Sequence, residues 1–281
     1  GGDNGIGMAM MLALLASDDI SHPALECLFT VDEETGLTGA FALEKNFLTG
    51  QTLINLDSED DGEIFVGCAG GIDTTAKLSY TNDKCPEGYF AFSIKVKGLT
   101  GGHSGDDINK GRGNANKILN RYLWKINKTT DLRLSKIDGG NLRNAIPREA
   151  QATVCVPYAE KENVRVLLNH YIAELEIELG DVEPKMQILL ESEILPESVI
   201  DKKTSNALLN VLNACPHGVK AMSRDMPNMV ETSTNLASIK MTENQEIVIT
   251  TSQRSSVESS KYDIANQVEA VLLLSGATVS H

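Results

Sequence analysis

Phe90-Ala91-Phe92-Ser93-Ile94-Lys95-Val96-Lys97 alternates as a half-exposed strand does, and the segments after it keep changing period. Helical spacing runs from Asn114 to Ile126. Alternation returns over Asp131 to Ile137 and Ala150 to Val156, and a second helix is expected from Glu162 to Leu179. Strand, helix, strand, strand, helix is the order of an antiparallel sheet covered by helices on one face. A second unit of this kind follows, with helix Ser205 to Ala214, strands near Gly218 to Ser223, Val230 to Lys240 and Glu246 to Gln253, and helix Ser259 to Leu274. This part of the chain is α+β.

Upstream, the pattern differs. Met8, Met11, Leu12 and Leu15 recur at helical spacing between Asn4 and Ala16, with Asp3 and Asn4 as N-cap candidates. Leu25 to Val31 is a strand-length apolar run, Thr38 to Asn46 looks helical, and Thr52 to Leu56 is another buried run. Helix, strand, helix, strand predicts a parallel sheet flanked by helices, but a first strand would have to precede Asp3, so the sheet is expected to be incomplete. The class is α/β for this part. We place the boundary near Gly71, dividing the chain into 1–71 and 72–281.

The 281 residues suffice for two such domains, and 41% hydrophobic with 23% charged residues is an ordinary globular composition. No apolar run approaches the roughly 18 residues of a membrane span. A net charge of −14, with Lys and Arg scattered, excludes nucleic acid as a partner. The five cysteines are far apart without a Cys-x-x-Cys pair, and the start shows no secretory signal, so they read as reduced and the protein as cytoplasmic.

Asp3, the pair Glu33-Glu34 and Asp57 each fall at a strand end or helix start. In an open parallel sheet the strand ends open into the ligand crevice, where Glu33, Glu34 and Asp57 would lie. Of two adjacent glutamates, one can hold a metal while the other faces a bound water. Taken singly, Asp3 is a helix cap and Glu-Glu a solvated loop. The segment Asp57 to Gly62 opens like a calcium loop but has Cys68 where the bidentate Glu belongs. Gly98-Leu99-Thr100-Gly101-Gly102-His103-Ser104-Gly105 lacks the Lys of a P-loop, and Asp106 stands where a nucleophile elbow needs glycine. That leaves His103 on a glycine turn. Asn144 alone is a turn residue, and Arg254 alone a surface ion pair.

Together, Gly2-Asp3-Asn4-Gly5-Ile6-Gly7, Thr30-Val31-Asp32-Glu33-Glu34-Thr35-Gly36 and Asn55-Leu56-Asp57-Ser58-Glu59 resemble the metal-site motifs of the carnosinase-like metallopeptidases. Gly67-Cys68-Ala69-Gly70-Gly71, Gly101 to Gly105, Gly113 to Lys117 and Asn141 to Ala150 resemble the bacterial aminoacyl-histidine (Xaa-His) dipeptidase branch in particular, so the likeness covers essentially the whole chain. The resemblance implies two divalent metal ions, zinc first with manganese or cobalt as alternatives. It implies that Asp3 bridges them, that Glu34 and Asp57 each bind one, and that Glu33 is the general base. It also implies a partial catalytic domain over 1–71 and a lid and dimerisation domain over 72–281. There His103, Asn144 and Arg254 contact the scissile carbonyl and the terminal carboxylate of a small peptide, and His103 can serve a neighbouring subunit of a homodimer.

The family's His-x-Asp motif should lie upstream of Asp3 and its last His ligand downstream of His281. His22, His170, His217 and His281 match no family ligand and read as surface or structural. The chain is therefore expected to be a fragment, inactive by itself, of an enzyme hydrolysing dipeptides such as β-alanyl-histidine. The alternatives are a related amidohydrolase acting on N-acyl amino acids and, for this chain, a non-catalytic lid and dimerisation module.

Overall fold

A computed structural model of the chain describes residues 4–33, 36–57 and 62–281, which divide into two units, Gly1–Val66 and Gly67–His281. In the first unit, α1 (Gly5–Ala16) is capped by Asn4, whose Oδ1 accepts from Gly7 N at 2.9 Å. The apolar stripe that marks α1 in the sequence is largely uncovered, with Met8, Leu12 and Leu15 exposed. The second helix is shorter than its periodicity suggests, α2 being Thr38–Phe41 alone.

The strands expected over Leu25 to Val31 and Thr52 to Leu56 do not form among the described residues. A strand exists only where a neighbour completes its ladder of hydrogen bonds, and no segment pairs with either run. Leu53 and Ile54, apolar enough to suggest burial, are 81% and 78% exposed.

The second unit follows the mixed helix and strand order. Its strands are β1 (Gly70–Ser79), β2 (Asn82–Lys84), β3 (Tyr89–Lys97) and β4 (Gly102–His103), followed by α3 (Ala115–Thr129), β5 (Arg133–Gly139), β6 (Ala145–Ile146) and β7 (Ala150–Pro157). Then come α4 (Lys161–Leu179), β8 (Gln187–Glu193), β9 (Ser198–Ile200), α5 (Lys202–Ala214), β10 (Gly218–Met222), β11 (Val230–Met241), β12 (Glu246–Ser255), α6 (Glu258–Leu273) and β13 (Thr278–Ser280).

Among the described residues one nine-stranded antiparallel sheet runs β13-β1-β12-β11-β5-β7-β3-β8, with β10 also on β11. The two units read from the sequence are thus joined edge to edge, where Ile239 of β11 faces Gly139 of β5. Joining removes two open edges whose backbone groups would otherwise need water. β1 escapes sequence reading because, of its buried positions Thr74, Ala76 and Leu78, only the last is a large apolar side chain.

The helices touch in the order α4, α3, α5, α6 and form one layer, with α3 against β3, β7 and β11 and α6 against β1, β11 and β12. Helix α3 buries Ile118, Leu119, Tyr122, Leu123 and Ile126, and α4 buries Val164, Leu168, Tyr171 and Leu175. Two tyrosines lock this pair reciprocally: Tyr122 donates to Val164 O at 2.7 Å and Tyr171 to Ile118 O at 2.8 Å, their rings stacked 5.6 Å apart. Each buried hydroxyl is satisfied by the opposite helix, so neither costs an unpaired donor.

Candidate functional site

The loop from Gly98 to Gly113 carries His103. Gly98 has φ +77 and passes so near Lys185 O that a Cβ would stand 2.2 Å from it; only glycine fits. The buried Glu183 carboxylate clamps both ends of the loop, accepting from Thr100 N at 2.7 Å and Gly113 N at 2.8 Å. Arg112 and Arg148 donate to the Gly101 and Leu99 carbonyls at 2.6 and 3.0 Å. Asp107 accepts from His103 N at 2.8 Å, and the Lys110 ammonium, then the His103 N–H, hold its carboxyl below the usual range. The histidine therefore stands on a pinned backbone.

His103 faces Ala145 across the β4–β6 pair, and Ser104 N donates to Asn144 O at 2.7 Å. Asn235, buried on β11, donates to Ala145 O at 2.8 Å and fixes the Asn144 loop from the sheet side. Arg254, on β12, brings its Nη2 to 3.4 Å from His103 Nε2. The other imidazole nitrogen, Nδ1, lies 2.7 Å from Asp106 Oδ2. His103 and Arg254, 151 residues apart, thus meet, and the backbone carbonyl of Asn144 lies against the same loop. Arg254 has no carboxylate partner among the described residues, and its Nε is buried without a hydrogen-bond acceptor there. An open cleft of about 520 Å³ lies beside the same loop, lined by Lys95, Asp138, Asn141, Ile146 and Arg148.

In the first unit, Asp3 and Glu34 lie outside the described residues. Glu33 and Asp57 are exposed. Glu33 sits in a turn: its carbonyl accepts from Gly36 N and Leu37 N at 3.1 and 3.0 Å. Asp32 and Leu37, both with φ 60, hold the left-handed conformation on either side, and Thr38 Oγ1 donates to Asp32 Oδ2 at 2.5 Å. Asn4 Nδ2 donates to Leu56 O at 2.6 Å, tying the start of α1 to the run that ends at Asp57. Among the described residues no three His, Cys, Asp or Glu side chains come together to hold an ion. The ligands that the resemblance assigns within this chain are all carboxylates. Carboxylate oxygens fit divalent cations, Zn²⁺ and Mn²⁺ among them.

Sequence reasoning missed Asp106 and Glu183. In the sequence Asp106 is only the residue that interrupts a nucleophile elbow, although three residues along a turn is within reach of an imidazole. Glu183 carries no local signal, since its partners are 70 and 83 residues away. The remaining histidines differ among themselves: His217 is half-buried and its Nδ1 accepts from Leu236 N at 3.4 Å, and His281 lies against Thr74 and Glu269. All five cysteines are free.

The family model of a peptidase dimerisation domain matches residues 94–183, a stretch that includes this loop. Over 277 residues the chain is 42% identical to the cytosol non-specific dipeptidase of Escherichia coli (strain K12), 99% of this chain and 57% of that protein. The crystal structure of the aminoacylhistidine dipeptidase from Vibrio alginolyticus matches with a TM-score of 0.85 and 42% identity, over 100% of this chain and 57% of that one. The chain is similar to these two proteins over essentially its whole length, as its motifs imply, and spans 57% of theirs. Among the described residues no helix is long and apolar enough to cross a membrane.

Proposed function

We infer that the protein is a metal-dependent dipeptidase acting on short peptides with a free C-terminal carboxylate, Xaa-His dipeptides such as β-alanyl-histidine among them. The observation that carries this reading is Arg254: a guanidinium without a carboxylate partner among the described residues, 3.4 Å from a histidine held on a rigid loop. A fork of this kind suits a carboxylate bidentately. The relatives' printed names, a cytosol non-specific dipeptidase and an aminoacylhistidine dipeptidase, agree with it and favour a cytoplasmic setting.

Asp3, Glu34 and Asp57 would hold two divalent ions, Zn²⁺ or else Mn²⁺ or Co²⁺. Bound there, the ions would supply Lewis acidity to a water and to the scissile carbonyl. The Glu33 carboxylate takes the proton of that water and returns it to the leaving amine. By the same resemblance His103 and Asn144 would donate to the carbonyl oxygen, where a donor is most useful once negative charge develops, and Arg254 would hold the terminal carboxylate. The tie from Asn4 to Leu56 supports the placing of Asp3 and Asp57 in one site, because it joins their sequence neighbours.

The match over 94–183 supports a homodimer formed through the domain that follows Gly71. The test is hydrolysis by the intact protein of β-alanyl-histidine, of the same dipeptide amidated at its C-terminus, and of an N-acyl amino acid, each with and without added Zn²⁺ or Mn²⁺. Metal-dependent cleavage of the free dipeptide alone is expected. Equal or faster cleavage of the N-acyl amino acid would transfer the protein to the amidohydrolases.

A further inference from the structure

We propose that Asp106 is a positioning residue for His103, and that Arg254 occupies the Nε2 lone pair of His103 until a carboxylate ligand draws the guanidinium away. This rests on the reading of Arg254 as a carboxylate grip. A guanidinium only donates, so Nε2 at 3.4 Å from Arg254 Nη2 presents its lone pair. The ring proton is then on Nδ1 and is donated to Asp106 Oδ2 at 2.7 Å. The Asp106 N–H, 3.4 Å from the same Nδ1, would need the lone pair of that nitrogen, and the 2.7 Å contact to the Asp106 carboxylate, shorter and charge-assisted, outweighs it. The neighbouring charges act elsewhere: Asp107 pairs with Lys110 and Arg112 and takes the His103 backbone N–H, not the ring.

Held this way, Nε2 cannot donate to an oxyanion. It becomes a donor only by taking a proton from solvent, and the Arg254 N–H blocks that position. A carboxylate is the better acceptor for the fork, at about 2.7–2.9 Å in a charge-assisted pair, and would break the 3.4 Å contact. Nε2 is then open to a proton, with Asp106 still on Nδ1 to hold the ring in place. Gly105 leaves room for this exchange, since a Cβ there would stand 3.2 Å from His103 Cε1 and 3.3 Å from Arg254 Nη1. The terminal carboxylate is thereby coupled to the group that faces the scissile carbonyl, and a ligand without one leaves His103 masked.

The test is nitrogen-15 NMR of the chain labelled at histidine and arginine, at a pH where free imidazole is neutral, with His103→Gln and Arg254→Gln assigning the signals. The expected resting pattern is a protonated Nδ1 and a bare Nε2. Asp106→Ala should lose it toward the Nε2-protonated form, and Asp106→Asn, whose amide oxygen still accepts from Nδ1, should restore it. An unchanged ring in Asp106→Ala, with circular dichroism showing a folded chain, overturns the positioning role. Adding N-acetylalanine should shift both the His103 Nε2 and the Arg254 Nε signals, and N-acetylalaninamide neither. A shift of Arg254 Nε without His103 Nε2 overturns the exchange while the carboxylate grip stands. A shift of neither overturns both.

Discussion

Arg254 leaves β12 with its Nε buried and without an acceptor among the described residues, an arrangement that is costly unless something completes it. Arg254→Lys in the intact enzyme keeps the charge and loses the fork, so KM for a histidyl dipeptide should rise with kcat falling less. The loss should be roughly 1.5–3 kcal/mol, about ten- to a hundredfold in kcat/KM. His103→Ala should do the reverse, lowering kcat more than it raises KM, because an oxyanion contact strengthens only in the transition state. Steady-state kinetics of the pair decide it: equal changes in both parameters for both variants would remove the distinction of roles.

His217 offers a different test. Burial, with the Lys117 charge adding to it, pushes its imidazole down to about 4, and Leu236 N donates to its Nδ1 at 3.4 Å. The unfolded chain binds this proton near 6.5 and the folded chain only near 4. Its contribution is therefore complete above pH 6.5 and is lost as pH falls to 4, about 3 kcal/mol in all. Urea unfolding across that window should show stability falling in the wild type, and a shallower fall in His217→Gln. Parallel curves for the two proteins would mean that the imidazole is not held neutral.

At the scale of elements, one long side chain ties helix to helix and another closes the His103 loop. Lys117 of α3 sends its ammonium to the carbonyls of Leu212, Asn213 and Cys215 at 2.8, 2.9 and 2.8 Å, closing the C-terminus of α5, where a cation also meets the negative end of the helix dipole. Lys117→Met keeps the stem and leaves these acceptors without their donor, so stability should drop by about 1–3 kcal/mol. The denaturant midpoint should fall with an unchanged m value; an unaltered midpoint would show that water replaces the ammonium without loss.

Glu183 presents one oxygen to each end of the His103 loop, and Glu183→Gln offers an acceptor to only one of them. Faster hydrogen exchange at Thr100 or Gly113 is expected, with the rest of the sheet unchanged. Exchange that stays at wild-type rates at both amides would show the loop to be held by Arg112 and Arg148 alone.

At the scale of the whole molecule, the match to a peptidase dimerisation domain predicts self-association. Light scattering at roughly micromolar concentration should give twice the chain mass for the intact protein; monomer alone would count against the homodimer. The second unit holds the hydrophobic core, while the first exposes Ile6, Leu12, Leu53, Ile54 and Phe47.

That contrast bears on what could be read in advance. The alternation of Phe90 to Lys97, the helical spacing of Asn114 to Ile126 and Glu162 to Leu179, and the acidic and glycine motifs were legible because each is a local pattern with its own period or turn chemistry. Local pattern misled over Leu25 to Val31 and Thr52 to Leu56, where apolar runs without a pairing strand stay irregular. From its sequence alone the chain thus determined its α+β second half, its likeness to the dipeptidases and the residue types of its candidate site. Only the tertiary structure decided that the two sheet units share one sheet, that Glu183 clamps the loop, and that His103, Asp106 and Arg254 meet. The reason is physical: sheet edges and hydrogen bonds between residues 70 to 151 apart depend on where the backbone returns, which no local period encodes.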